Sequence, residues 1–354
     1  RSEMNYTDQR PAEYTTSILS AAVQEGYTGP VFIQGDHFQV SMKKYNADPN
    51  TEIEALKALI REAVAAGFLN IDVDTSTMVD LSKTTVPEQQ VLNTELSSLL
   101  TAYIRQVEPK GVTISVGGEI GEVGGHNSTE EELCAYLSGF QKDLAQKGKN
   151  LVGLSKISIQ TGTSHGGVVL PDGSIAQVSV DFDTMLKLSR MSRKEFGLGG
   201  AVQHGASTLP ENAFGKFVEA EACEIHLATN FMNIFFELIP QGLKKEMYAY
   251  LDQNNAADRK PDMTDEQFYY KSRKSAVGPF KKQSWNLPAA EKAKIAAAWE
   301  DQFTKLFHLL NLKDTKAQVN QWIKHPMVEV KAKDFLGEEA AAEEMSGQQP
   351  RQEL

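Results

Sequence analysis

The stretch that decides the fold is residues 30–38, Pro-Val-Phe-Ile-Gln-Gly-Asp-His-Phe, where an apolar run ends in a glycine, an acid and a histidine. The run Pro30–Gln34 has the length and residue types of a buried strand. A helical pattern precedes it over residues 12–25, and another follows from Thr51 to Gly67. A short strand between two helices is typical of parallel βαβ units. The stretch therefore predicts an α/β fold with polar groups beyond the carboxyl end of a strand.

The same alternation recurs along the chain. Further strands are predicted at Asn70–Asp74, Val112–Val116, Lys156–Gln160, Gly200–Gln203 and Cys223–Ala228, each followed by a helical pattern. Six strand–helix units fit either an open doubly wound sheet or part of a (β/α) barrel. After the last strand one long helix is predicted to reach about Leu251, and the pattern beyond it is helical only.

Composition narrows the class of protein. The 354 residues are 41% hydrophobic, which is enough for a sizeable core, and the net charge of −11 argues against nucleic-acid binding. The two cysteines, Cys134 and Cys223, have no metal-type spacing and give no disulfide framework. We therefore expect a reducing compartment, the cytoplasm. No apolar run reaches the length of a membrane span, so no membrane partner is expected.

Three histidines come directly after predicted strands: His37, His165 in Thr-Ser-His-Gly-Gly, and His204 in Gln-His-Gly-Ala-Ser. The carboxyl ends of parallel strands meet at one edge of a sheet, where active sites of such folds are built. One histidine there is more often structural, but three together favour a metal site. Neutral imidazole is a preferred zinc ligand, and three protein ligands leave a position open for substrate. The pattern predicts a zinc site, or a site for another divalent metal.

Acidic and small residues follow the same strands. Asp36, Asp80 and Glu119 could orient a ligand or hold a proton in transit beside a metal, or could be loop caps and surface charges. Backbone N–H groups just past a strand can also cradle a phosphate. The candidates for that role are Gly166, Gly205, Ala206, Ser207 and Thr229.

These motifs, in this order, resemble the class II, metal-dependent fructose-bisphosphate and tagatose-bisphosphate aldolases. The likeness runs from residue 12 to residue 236. Its motifs are Gln-Gly-Asp-His at 34–37, Met-Val-Asp-Leu-Ser at 78–82, Glu-Ile-Gly-Glu-Val-Gly-Gly at 119–125, Gly-Thr-Ser-His-Gly at 162–166, His-Gly-Ala-Ser at 204–207 and Leu-Ala-Thr at 227–229. The resemblance implies a TIM (β/α)8 barrel. It makes the Asp-His strand the third of eight, so we expect the first two strands upstream of Arg1.

The resemblance also implies residue roles. It makes His37, His165 and His204 the metal ligands, and makes Asp36 the carboxylate that protonates or polarises the aldehyde. It places Asp80 and Glu119 near the metal, where they can serve an alternative or second ion. Gly166, Gly205, Ser207 and Thr229 match positions that hold the phosphate of dihydroxyacetone phosphate and a monovalent cation.

Three departures from the family pattern concern the base and the substrate. The proton-abstracting Glu after Gly125 is replaced by His126-Asn127-Ser128, which makes His126 a candidate base, with an acid of the following helix as an alternative. His226 stands where the family strand ends in Asn facing the substrate. The usual Lys after the His-Gly pair is missing. A basic group for the second phosphate could come from Lys271, Arg273 or Lys274, although basic clusters on helices are more often solvated.

Together these features predict a zinc-dependent aldolase that reversibly cleaves a ketose bisphosphate through a metal-stabilised enediolate. Fructose 1,6-bisphosphate is the expected substrate. The alternatives are a non-catalytic accessory barrel of the family and a lyase or epimerase for another phosphorylated ketose. We expect a homodimer or homotetramer, with a barrel carrying the metal site over residues 1–252, C-terminal helices packing on it over 253–336, and a disordered acidic tail over 337–354.

Overall fold

One parallel sheet organises the molecule, for which a computed structural model describes residues 6–121, 125–162, 170 and 179–323. Within these residues six strands lie in sequential order. They are β1 (Gln34–Gln39), β2 (Asn70–Asp74), β3 (Ser115–Glu119), β4 (Lys156–Ser158), β5 (Ala201–Gln203) and β6 (Glu224–Ile225). The sheet is curled, so that its two edges approach each other. Nε2 of Gln34 in β1 lies 3.2 Å from Nε2 of His226, which follows β6 at the opposite edge. The predicted α/β class and parallel sheet are confirmed, and closure into eight strands stays a prediction.

Helices connect and cover the strands. They are α1 (Pro11–Gln24), α2 (Met42–Ala47), α3 (Pro49–Ala65), α4 (Val86–Val107), α5 (Glu130–Lys147), α6 (Phe182–Phe196), α7 (Phe214–Glu219), α8 (Thr229–Leu238), α9 (Gln241–Asn254), α10 (Asp265–Ser272), α11 (Lys274–Val277), α12 (Lys281–Trp285), α13 (Ala289–Leu309) and α14 (Lys316–Trp322). Side-chain caps fix the starts of several of them. Thr129 and Glu132 form a capping box on α5, and the Asp181 carboxylate accepts the Thr184 N–H on α6.

The two faces of the sheet differ in chemistry. In β2, Ile71 and Val73 pack with α3 and α4 in the largest apolar cluster of the described residues, while Asp72 and Asp74 point to the opposite, concave face. Side chains alternate along a strand, so the pattern Asn-Ile-Asp-Val-Asp puts the apolar pair under the helices and the acids in the interior. The concave face therefore carries the polar groups.

Two predicted elements have different bounds. The first strand begins at Gln34 rather than Pro30, because pairing with β2 starts at Gln34 opposite Asn70 and leaves Phe32 exposed. The predicted long helix that ends near Leu251 is two helices, α8 and α9, separated by Ile239 and Pro240. Proline lacks an N–H and disfavours a helical conformation in the residue before it, which ends α8 there.

The C-terminal helices have an apolar core of their own. Phe236, Met247, Phe268 and Ile295 are among its buried members, so this cluster spans residues on both sides of position 252. The predicted unit boundaries stay predictions, and the tail 337–354 lies outside the described residues. None of the described helices is long and apolar enough to cross a membrane.

Candidate metal centre

A bulge in β1 brings two functional side chains to the same face. Gly35 pairs with Ile71 and Phe38 with Val73, so β1 carries one extra residue against β2. His37, inside this bulge, has a φ of 52°. A non-glycine residue costs about 1–3 kcal/mol in that region. The bulge allows His37 and its neighbour Asp36 both to face the concave side, with His37 Nε2 3.8 Å from Asp36 Oδ2.

His37 is held from behind by buried carboxylates. Its Nδ1 lies 2.9 Å from Asp74 Oδ2 and 3.1 Å from Glu119 Oε1. Asp74 also accepts hydrogen bonds from the Gln39 side chain and from the N–H and hydroxyl of Ser76. With these partners the Asp74 carboxylate cannot easily reorient, so it fixes which ring nitrogen of His37 faces the opening.

His204 links two groups of metal-type ligands. Its Nδ1 lies 3.7 Å from Glu119 Oε1, and its Nε2 lies 3.9 Å from Asp36 Oδ1. One group is His37, Glu119 and His204, and the other is Asp36, His204 and His226. The ring of His226 stacks on that of His204 with centroids 4.4 Å apart, and its Nδ1 lies 3.1 Å from Asp36 Oδ1. Imidazole nitrogens and carboxylate oxygens together suit zinc and related divalent ions.

A buried oxygen supports the fit of this cluster to a cation. Glu119 Oε1 is shielded from solvent and has no well-aligned hydrogen bond to the described residues, although two imidazoles face it. Burial is the largest influence on the Glu119 carboxyl and, with the nearby charge of Asp74, raises its pKa to about 7. A buried carboxylate short of partners is an environment that a bound cation would stabilise.

The carboxylates and imidazoles of the cluster shift one another's pKa values. Burial alone would lower the pKa of His37, but the Asp74 and Glu119 carboxylates raise it to about 11. Burial likewise disfavours charge on His226, whose pKa is raised to about 9 by hydrogen bonds with Asp36 and Glu224. Burial would raise the pKa of Asp36, but the hydrogen bond with His226 and the charge of His37 bring it below the usual range. The surrounding carboxylates therefore favour the protonated form of both histidines.

A second polar layer lies beneath the histidines. The ammonium of Lys156, which is 5% exposed, lies 3.2 Å from Asp72 Oδ1 and also pairs with Glu224. Asp72 accepts a hydrogen bond from Gln34, whose Nε2 is also 3.2 Å from His226. The Lys156–Asp72 pair crosses over β3 at Gly117, where a Cβ would collide with the Asp72 carboxylate. This layer ties the orientation of His226 to a buried ion network.

Several predicted site residues lie elsewhere. The carboxylate of Asp80 accepts from the N–H and hydroxyl of Ser82 in a solvent-exposed turn, which matches the loop-cap alternative. The ring of His126 contacts the backbone of Asn127 and the carboxylate of Glu132, with just over half of its side chain exposed. His165 and Gly166 lie outside the described residues.

The predicted phosphate groups are partly engaged within the protein. Ser207 Oγ accepts the backbone N–H groups of Ala228 and Thr229 at the start of α8. Gly205 adopts a φ of 69°, and Ala206 is fully buried in a cluster with α7. Two N–H groups in the region predicted to bind phosphate are thus capped by a side chain.

Arg273 is not on a solvated helix face. It is buried, donates to Asn233 of α8 and stacks on Tyr270, with the guanidinium carbon 4.0 Å from the ring centroid. Burial lowers the pKa of this arginine. Its Nε has no hydrogen-bond partner among the described residues.

Sequence reasoning missed Gln34, Asp72, Asp74, Lys156 and Glu224. The sequence signal that could have found two pairs of them is the alternation of side chains along a strand, with a period of two residues. Asp72 and Asp74 alternate in β2, and Glu224 alternates with His226 across β6, so each pair shares a face.

The comparison with protein families decides the relationship. Residues 2–287 match the family described as fructose-bisphosphate aldolase class-II. The chain belongs to this family. The family resemblance predicted from the motifs is therefore confirmed. Among curated protein sequences, none is significantly similar to the chain.

Two solved structures share the fold of this family member. A probable tagatose 6 phosphate kinase from Sinorhizobium meliloti has a TM-score of 0.57 at 15% identity, covering 89% of this chain and 82% of its own. The fructuronate-tagaturonate epimerase UxaE from Cohnella laeviribosi has a TM-score of 0.52 at 13% identity. The match covers 82% of this chain and 70% of the epimerase chain. At these identities the likeness concerns the fold alone.

Proposed function

We propose that this chain is a metal-dependent aldolase that reversibly cleaves a ketose bisphosphate, with fructose 1,6-bisphosphate as the first candidate. The products would be dihydroxyacetone phosphate and glyceraldehyde 3-phosphate. The observation that carries the proposal is the meeting of His37 and His204 with the carboxylates of Asp36 and Glu119, in a chain of the class II aldolase family.

The residues have distinct proposed tasks. His37 and His204 would hold the cation together with His165, which lies outside the described residues. A bound divalent ion supplies Lewis-acid chemistry, the polarisation of a carbonyl oxygen. The half-exposed Asp36 carboxylate faces the opening and would pass a proton to or from the aldehyde oxygen.

Proton abstraction from carbon requires a base near the substrate. Asn127 cannot serve as a base, and its amide donates to Asp181 at the start of α6. His126 remains the candidate base, although its ring contacts Glu132 rather than the histidine cluster. A base must come within hydrogen-bond reach of its proton, so this role requires the ring to turn toward the substrate.

A second candidate is a lyase or epimerase acting on another ketose through the same enediolate chemistry. His226 beside Asp36, and the engagement of Ser207 with the N–H groups that could hold phosphate, favour this alternative. The similar fold of an enzyme described as a fructuronate-tagaturonate epimerase suggests including ketose acids among the test substrates.

The experiment is turnover by the zinc-loaded protein on fructose 1,6-bisphosphate, tagatose 1,6-bisphosphate, other phosphorylated ketoses and ketose acids. We expect cleavage that is lost on chelation, restored by zinc and abolished in His204→Ala. Borohydride should not trap a covalent adduct. Turnover of another ketose with no bisphosphate cleavage would favour the second candidate. Ligand binding without any turnover would favour an accessory barrel, and cleavage that survives in His204→Ala would refute metal-centred catalysis.

A further inference from the structure

The segment 126–128, which lies between β3 and α5, is tied to the chain just beyond β4. The backbone N–H of Ser128 donates to the carbonyl oxygen of Gln160, and the backbone N–H of Gln160 donates to Ser128 Oγ, both at 2.9 Å. Ser128 is 4% exposed, so water competes little for these two bonds. The end of the segment that carries His126 therefore has a fixed place beside β4.

Asn127 links the same segment to the start of α6. Its side-chain amide donates to Asp181 Oδ2 at 2.9 Å. The Asp181 carboxylate also accepts the N–H and the hydroxyl of Thr184, and the Asp181 N–H donates to the carbonyl oxygen of Thr161. The hydrogen bonds from Thr184 and then Asn127 hold the pKa of the Asp181 carboxyl below its usual range. The acceptor of the Asn127 amide is therefore a charged group, which strengthens the bond.

Asn127 also contacts groups on either side of it. Its backbone oxygen lies 2.7 Å from Nδ1 of His126, the candidate base. Its side-chain oxygen lies over Gly162, where an added Cβ would be 3.4 Å from it. Gly162 stands three positions before His165, the proposed metal ligand. Asn127 therefore lies where it can set the separation between the base and the cation.

The chemistry of the anchor explains the amide at position 127. A carboxylate there would meet Asp181 with like charge, whereas an amide N–H donates to it. We propose that Asn127 is a positioning residue, which anchors the segment carrying His126 to Asp181 and so holds the candidate base in place relative to the cation site. The inference rests on the proposed function for the task of His126. It gives a role to a residue that has no acid–base chemistry of its own.

The first arm of the test is amide hydrogen exchange in the full chain. Asn127→Ala removes the bond to Asp181 and should speed exchange of the Ser128 N–H by about 10-fold. Asn255→Ala is the matched control, because Asn255 is also half-buried and its amide donates to a carboxylate, that of Asp258, at 3.0 Å. The control should leave exchange at Ser128 unchanged. Unchanged exchange at Ser128 in Asn127→Ala would overturn the anchor.

The second arm is turnover by the zinc-loaded protein on the ketose that it cleaves. A catalytic group misplaced by about 1 Å can lose about 100-fold in rate, so Asn127→Ala should lower kcat by about 10- to 100-fold with little change in KM. The affinity for Co²⁺, a divalent probe of the cation site, should equal that of the wild type. A loss of kcat that accompanies weaker Co²⁺ binding would overturn the proposal, because Asn127 would then act on the cation and not on the base.

Reversing the pair supplies a rescue. Asn127→Asp alone places two carboxylates together and should lose kcat as Asn127→Ala does. Adding Asp181→Asn restores an amide–carboxylate bond with the roles exchanged, and asparagine caps a helix as well as aspartate does. The double variant should therefore regain kcat over Asn127→Asp, and a double variant no faster than the single one would overturn the proposal.

The two arms separate this inference from the proposed function. A wild type that cleaves no ketose would refute the proposed function, and exchange at Ser128 would still decide whether Asn127 anchors the segment. Faster exchange in Asn127→Ala with an unaltered kcat would leave the proposed function standing and would overturn the positioning role.

Discussion

Replacing Lys156 by Met should destabilise the protein strongly, and in a manner that depends on pH. Lys156 is the cation that partners Asp72 and Glu224 beneath the histidines. Methionine has a similar length and preserves the packing, but it removes the ammonium between the two acids and leaves them His226, whose Nε2 lies 3.9 Å from each, as a cationic neighbour. Removing one partner of a buried ion pair costs about 3–5 kcal/mol.

The structure sets where in that range the loss should fall. The side chain of Asp72 is 5% exposed, so water cannot replace the lost ammonium as its partner. The side chain of Glu224 is 32% exposed and can be partly solvated. We therefore expect a loss near the lower limit, about 3 kcal/mol in the free energy of unfolding at pH 8. Burial already raises the pKa of Asp72 in the presence of Lys156, and the variant should raise it further.

The pH dependence follows from that direction. A carboxyl whose pKa is higher in the folded than in the unfolded state binds protons more tightly when folded. The variant should therefore regain stability relative to wild type as pH falls from 8 toward 5 and Asp72 takes up a proton.

The assay is urea unfolding followed by tryptophan fluorescence at several pH values. Lys187→Met is the matched control, because Lys187 pairs with Glu130 on the surface and both side chains are about half exposed or more. That exposed pair should contribute at most about 1 kcal/mol. A Lys156→Met variant as stable as the control, or one that loses further stability as pH falls, would refute the reasoning.

Three further predictions concern the cation, the base and the packing. Because the pKa of His37 is raised to about 11, metal binding to His37 at pH 7 should displace a proton and tighten as pH rises. Calorimetry in buffers of different ionisation enthalpy should detect the release, and a buffer-independent heat would contradict it. His126→Ala should lower kcat by about 10²–10⁴ if His126 is the base, with zinc affinity unchanged, and an unaltered kcat would exclude that role. Gly117→Ala should destabilise the protein by about 1–3 kcal/mol in urea unfolding, since its Cβ meets Asp72. Gly215→Ala in α7, where a Cβ would lie 3.9 Å from the carbonyl oxygen of Leu309, should be neutral or stabilising, and equal effects of the two changes would refute the packing argument.

The sequence predicted the fold class and the parts of the site that lie at strand ends. Periodicity located β2 and placed His204 just past β5, and both follow from local patterns that tertiary contacts leave unchanged. It could not predict the bulge in β1, because the extra residue appears only once β1 pairs with β2. For that reason His37 was expected beyond its strand and lies within it.

The buried ion network shows a second limit. Asp72, Lys156 and Glu224 are separated by 84 and 68 positions in the chain and lie on three different strands, so no local pattern pairs them. Their meeting depends on the curl of the sheet and on the space that Gly117 leaves between β2 and β4. Asp80 shows the converse limit. Its motif suggested a place beside the metal, but the turn that it caps holds its carboxylate with Ser82.

The two polar layers depend on each other through Gln34. Its amide contacts Asp72 in the ion network and Nε2 of His226 in the cluster above, so the lower layer determines which nitrogen of His226 faces Asp36. A change at Lys156 that alters the charge of Asp72 should therefore also reach the cation site, although Lys156 touches neither Asp36 nor His204 in the described contacts. Because His226 stacks on His204 and contacts Asp36, Lys156→Met should weaken Co²⁺ binding as well as folding, whereas Lys187→Met should not weaken Co²⁺ binding. Unfolding and Co²⁺ titration on the same two variants can separate this coupling from a purely structural role, because a structural role alone would leave the affinity of the folded protein unchanged.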